Sequence, residues 1–243
     1  MAITRLWFFT LQPNHKATDP AFLSLWTNIL ELCASYTPAP VSSSSQIQLS
    51  LSLKPRRPHH FLLQSVQDEN LLVLISSYPS LALCRQADAA YTARYKKDVL
   101  AHVRHRALRQ LDLEDAEVVP ALLDSNGGRG RGSNRERRRE GEGEDRDDDS
   151  VTVAISIRNP LRTEMAAALS SFESGRRAPV LPPNREISGA DVYEMPPVPG
   201  GEKPDAFEEQ RNEGKRWIRI RRGLPKSDDG VVEMFQLKEL LSR

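Results

Sequence analysis

Residues 61–80 read FLLQSVQDENLLVLISSYPS. Two apolar runs flank a short polar turn, Asp68-Glu69-Asn70. Runs of this length, rich in Leu, Val and Ile and separated by turn residues, read as a β-hairpin over 60–78. Pro79-Ser80 closes the second strand and opens a helix predicted from Leu81 to about Val103. Its apolar face is Cys84, Ala87, Tyr91, Tyr95 and Val99. Arg85, Asp88, Arg94, Lys96 and Lys97 are assigned mostly to the outside.

Upstream, Ile3 to Leu11 (ITRLWFFTL) is rich in aromatic and β-branched residues and is predicted as a strand, ended by Gln12-Pro13-Asn14. Asp19-Pro20 starts a helix, with Asp as the expected cap and Pro at the first helical position. Phe22, Leu25, Trp26, Ile29, Cys33 and Tyr36 recur at helical spacing to about Tyr36. Gln46 to Leu53 alternates strictly, with Ile47, Leu49, Leu51 and Leu53 on one side, and is predicted as a strand. Downstream of the long helix, Arg106 to Leu113 is predicted as a strand.

From Asn126 to Ser150 the chain reads NGGRGRGSNRERRREGEGEDRDDDS, without an apolar side chain. Such a stretch has nothing to bury and is expected to be disordered. Three segments follow: a main domain over 1–124, a charged linker or loop insertion over 125–150, and a C-terminal extension over 151–243 packing on the first domain. Within the extension, Val151 to Ile157 alternates as a strand and Glu164 to Phe172 reads as a short helix. Residues 176–204 are Pro-rich and expected to be mostly irregular. Arg216 to Arg222 contains a strand with Ile218 and Ile220 on one face. Val231 to Leu241 suits strand or helix. No internal repeat is visible in the sequence.

Composition bounds function. The chain has 243 residues, 39% hydrophobic, with 17 prolines and a formal net charge of +1. Near-neutral charge gives no global pull towards nucleic acid or an anionic membrane, and neither is an expected partner. No apolar run approaches the ~20 residues of a membrane span, and the N-terminus lacks a signal-peptide pattern. The expectation is a soluble, cytoplasmic protein, with a nuclear signal at Arg135 to Arg139 as the competing reading of that basic run. Cys33 and Cys84 are expected to be reduced core thiols.

The order β-α-β-β-α-β, with a short hairpin between its second and third strands, is the split β-α-β pattern of ferredoxin-like folds. The hairpin, its acidic turn, the closing Tyr78 and the immediate long helix resemble the dimeric α/β-barrel superfamily, in its antibiotic-biosynthesis-monooxygenase-like branch. The resemblance covers roughly residues 3–113. It implies an α+β fold: an antiparallel sheet with two helices on one face, the C-terminal extension being added to the same core. It also implies a homodimer formed through the open sheet face, with the chain's own residues 151–243 as the alternative cover for that face. Binding of a small apolar or aromatic molecule is the implied function, with cofactor-free oxidation as one activity. The alternative is a non-enzymatic protein-interaction module on the same fold.

The aromatics available to such a pocket are Trp7, Trp26, Tyr78, Tyr91 and Tyr95. Tyr78 is carried over by position, and Trp26 and Tyr91 are the further substrate-binding candidates, all three competing with plain core packing. An Asn or Arg beside Tyr78 is not identifiable from the sequence, and no catalytic residue is assigned. No cofactor is called for. His102 and His105 would share a helix face, but with no third ligand in sight no metal is expected. Trp217, Arg219 and Arg221 on the RWIRIRR strand suit an edge strand blunted by charge.

Overall fold

The computed structural model describes residues 1–37, 57–123, 152–159, 186–192, 216–223 and 231–243. Several expectations fall outside these: the alternating strand over 46–53, disorder over 126–150, the helix over 164–172 and the basic run at 135–139.

The hairpin predicted from the sequence is present as β2 (His60–Ser65) and β3 (Leu71–Tyr78). The Asp68 carboxylate accepts the Asn70 N–H at 3.0 Å and fixes the turn between them. β1 (Ala2–Leu11) pairs antiparallel with β3 on one side and with β4 (Val103–Leu113) on the other. Between them run α1 (Pro20–Ala34), α2 (Leu81–Arg94) and α3 (Lys96–His102). A short helix α4 (Val118–Leu123) follows, then β5 (Thr152–Arg158), β6 (Glu186–Ala190), β7 (Trp217–Arg222) and β8 (Val231–Ser242).

Among the described residues all eight strands form one antiparallel sheet in the order β4-β1-β3-β2-β8-β5-β7-β6. The first four positions and the last four carry the same order, with β5 to β8 standing where β1 to β4 stand. The repeat that no sequence pattern shows is thus present in the topology. The halves differ in their connections. β3 and β4 are joined through residues 79–102, which carry α2 and α3, whereas residues 223–230 alone join β7 to β8.

The sheet curls until its ends meet. One junction is a strand ladder, with Phe61 to Ser65 of β2 paired antiparallel to β8 across a single register shift. The other, between β4 and β6, is made by a clasp. The Arg109 guanidinium meets Asp191 at 3.2 Å, and the Gln110 N–H donates to the same carboxylate at 3.0 Å. The Val192 N–H donates to the Gln110 carbonyl at 3.0 Å.

Side-chain alternation then sorts two cores. Leu6, Phe8, Phe61, Val73, Ile75, Leu111, Ile155, Ile218, Ile220, Phe235 and Leu237 fill the inside of the curl, joined by Val119 and Leu123 of α4. Phe8 of the first half and Phe235 of the second touch there, with ring centroids 5.1 Å apart. On the outside of β1 to β4, Phe9, Leu72 and Leu74 pack against Phe22, Trp26, Ile29 and Leu30 of α1 and Cys84 and Tyr91 of α2. The inner sheet face, where a second subunit was expected, is therefore covered by the chain's own C-terminal strands.

Several local readings are corrected. Asp19 precedes α1 without a side-chain cap bond; its carboxylate accepts the Lys16 N–H instead. The long helix divides at Tyr95, whose φ of −125° leaves the helical region. β4 begins at Val103, three residues earlier than expected, because Arg106 is the extra residue of a β-bulge: Phe8 pairs with Ala107 and Phe9 with His105. The bulged Arg106 reaches Glu233 and lies over the Phe235 ring. The Pro-rich stretch contains a strand, β6. The RWIRIRR strand is no edge, since β7 is paired on both sides, and Arg219 meets Glu186 at 2.8 Å. Residues 231–242 are strand. Cys33 and Cys84 are buried and free.

Candidate functional site

Strand alternation sends Arg5 and Trp7 of β1, and Leu74, Ser76 and Tyr78 of β3, to the helix side of the sheet. Facing them are Ile29 and Cys33 of α1, one turn apart, and Ala87, Asp88 and Tyr91 of α2. Together they line a narrow slot. The open volume inside is about 10 Å³, room for one water.

Two of the three sequence candidates are brought together here. Tyr78 and Tyr91 line the slot, with Trp7 edge-on to Tyr91 at 5.2 Å. Trp26 does not line it. It is fully buried between Phe9 and Phe22 and serves the core. Tyr95 is partly buried at the break between α2 and α3 and packs against the same core.

The sequence reading missed the charged pair. Arg5 ion-pairs with Asp88 through Nη1, and its Nε donates to Gln110 Oε1 at 3.4 Å. The Arg5 side chain is 10% exposed and that of Asp88 30%. An arginine at an inward position of an otherwise apolar strand is a signal in itself, because a buried guanidinium needs a partner. Asp88, assigned to the outside, shares a face with Cys84, four residues before it, and Tyr91, three residues after it.

Burial sets the protonation states. It pushes the Cys84 thiol up to about 12 and the Cys33 thiol up to about 11, so both stay thiols at neutral pH. It also raises the Tyr91 and Tyr78 phenols. The Tyr78 hydroxyl is hydrogen-bonded to the Cys33 thiol, and its ring lies 5.2 Å from that of His60. Asp88 is raised from 3.8 by burial, an effect offset in part by the Arg5 charge and hydrogen bond.

Two polar atoms in this wall stand out. Ser76 Oγ and Tyr91 Oη are both buried, and neither has a hydrogen-bond partner among the described residues. Buried hydroxyls are ordinarily satisfied, and each unmatched one costs about 1–3 kcal/mol. The slot therefore combines aromatic walls, two hydroxyls with free bonding capacity and one paired carboxylate. Among the described residues no group of three or more His, Cys, Asp or Glu could hold a metal ion, and no helix is long and apolar enough to cross a membrane.

No family model matches the chain, and no curated protein matches it. Among solved structures it is similar to a crystal structure of a "Putative Chlorite dismutase", with a TM-score of 0.41 and 8% identity. That similarity covers 98% of this chain and 94% of the other.

Proposed function

We propose that the chain is a single-chain member of the dimeric α/β-barrel type, in which two ferredoxin-like units close one barrel in cis. The support is the repeated strand order, 4-1-3-2 followed by 8-5-7-6. A homodimer built through the inner sheet face loses its reason, because strands β5 to β8 already cover that face; a dimer would have to use another surface.

On this scaffold the slot between β1, β3, α1 and α2 binds a small, flat, largely apolar molecule carrying one or two polar atoms. The observation that carries this reading is the pair of buried, unmatched hydroxyls, Ser76 Oγ and Tyr91 Oη, between aromatic walls. A ligand carbonyl or hydroxyl would supply the missing bonds. In the antibiotic-biosynthesis-monooxygenase-like version of this reading molecular oxygen oxidises the ligand without a cofactor, the deprotonated ligand itself supplying the electrons. The base would then be Asp88, since the thiols and phenols of the slot are held protonated.

The test is a thermal-shift screen of small phenols and quinones on the full chain and on Tyr91→Phe. Removing an unmatched buried hydroxyl should leave the free protein as stable as before, or more so, while a stabilising ligand should lose its effect. A ligand that stabilises both proteins equally would remove the slot from the reading.

One observation favours the second reading, a non-enzymatic interaction module. The slot as it stands has room for only one water, so a larger ligand must shift the side chains or helices that line it. If no member of the panel shifts the melting temperature, even of a Trp7→Ala variant with a widened slot, the interaction module is the better account.

A further inference from the structure

His15, in the turn between β1 and α1, and His102, the last residue of α3, lie 87 positions apart in sequence, yet their Nδ1 atoms are 3.1 Å apart. The backbone holds both in place. The Gln12 N–H donates to the His102 carbonyl at 2.8 Å, and Gln12 Nε2 donates to the Leu100 carbonyl at 3.1 Å. Asn14 turns the chain with a φ of 69°, a left-handed conformation that asparagine tolerates. Phe22 packs edge-on against the His102 ring.

The ring geometry says how the two nitrogens face. A straight N–H···N bond of this length would set the ring centres about 5.4 Å apart. Two Nδ1 lone pairs converging on one ion at ~2.0–2.1 Å would set them about 4.8 Å apart. The observed centroid separation is 4.7 Å, with the planes at 77°. That spacing is shorter than a straight hydrogen bond would set and matches the spacing of two imidazoles sharing one ion.

We propose that His15 and His102 form a two-histidine chelate for a borderline divalent cation, Zn²⁺ or Cu²⁺. Imidazole nitrogen suits these ions, and Cu²⁺ binds most tightly of the first-row series. Binding asks only a change of tautomer: the hydrogen between the rings moves to an Nε2, and both Nδ1 lone pairs become free for the metal. The remaining coordination positions go to water, which leaves the ion open to exchange or to a ligand from solution. The pairing was invisible at the sequence level because it joins a loop to a helix end, whereas the spacing of His102 and His105 suggested a shared helix face. His105 instead lies on β4 against Phe9 and Trp7.

The chain's other histidines make the test clean. His59 and His60 are buried, and His105 is packed among aromatics. Isothermal titration of the full chain with CuCl₂ and with ZnCl₂ should show one ion per chain. His15→Ala and His102→Ala should each weaken binding at least tenfold, and His105→Gln should not. Electron paramagnetic resonance of the Cu²⁺ form should show two imidazole nitrogens as ligands, a readout that stands even if one variant folds poorly. No uptake by the wild type, meaning a hydrogen-bonded pair only, would overturn the proposal. So would an all-oxygen copper signal, or binding unchanged in both alanine variants.

Discussion

The two places where the halves of this molecule meet are topologically equivalent and are built differently. Between β2 and β8 the chain pairs backbone to backbone. Between β6 and β4 it relies on a buried ion pair and two hydrogen bonds around Asp191 and Gln110. A ladder is made by groups every residue carries, so it tolerates substitution. A clasp hangs on particular side chains. β6 is the reason for the difference: it has five residues, and only Ile187 among them is buried and apolar. Gly189 lies against Leu111, where an added Cβ would come within 3.3 Å of the Leu111 side chain. A larger residue there would require the Leu111 side chain to give by a few tenths of an ångström.

The largest effect is expected where the halves share a core. Phe8→Ala should cost about 3–5 kcal/mol, as for a buried aromatic truncation, and should leave a single unfolding transition. Two separate transitions in calorimetry would mean that the halves fold independently and that the comparison of seams is one between domains.

A smaller, local effect is expected at the clasp. Asp191→Ala removes the carboxylate facing a buried guanidinium, and should cost about 2–3 kcal/mol. Native-state hydrogen exchange should then quicken in β6 while β8 keeps its protection. Equal loosening of β6 and β8 would show that the seams do not act separately.

The mildest expectation concerns acid. Burial holds the His105 imidazole down to about 4 from 6.5, with Lys96 adding to the effect. In the folded protein it stays neutral, while in the unfolded chain it takes up a proton below about 6.5. Its contribution is therefore intact above that pH and is lost as pH falls from 6.5 towards 4. The melting temperature should decline across this window, and His105→Gln should flatten that part of the profile. Because His105 sits on β4, the clasped strand, exchange should quicken first on that side of the barrel.

The hairpin and the first strand were legible as apolar runs bounded by turn residues, because both of their faces are buried, and α1 was legible by its helical periodicity. β6 was hidden because it lies in Pro-rich sequence with one buried apolar residue, and only the start of β4 was missed, where Arg106 bulges and breaks the alternation. β8 stayed ambiguous because its apolar positions change face near the register shift opposite Leu62 and Leu63. The inner partner of the first sheet was left between a second subunit and residues 151–243, since the two halves share topology but no sequence pattern. In the slot, Tyr78 and Tyr91 were found by position and spacing. Arg5 and Asp88 were missed because a charge was taken as a mark of exposure, and only a long-range contact shows that these two bury together.

The most direct measurement asks whether β2 and β8 of one chain pair with each other. Gln64 and Lys238 are register partners on the side of the sheet away from the inner core, and the native Cys33 and Cys84 are buried. Mild oxidation of a Gln64→Cys, Lys238→Cys double variant at micromolar concentration should give an intramolecular disulfide. On a non-reducing gel the product should run as a monomer of altered mobility. A covalent dimer as the main product would place the partner strand in a second chain and contradict closure in cis.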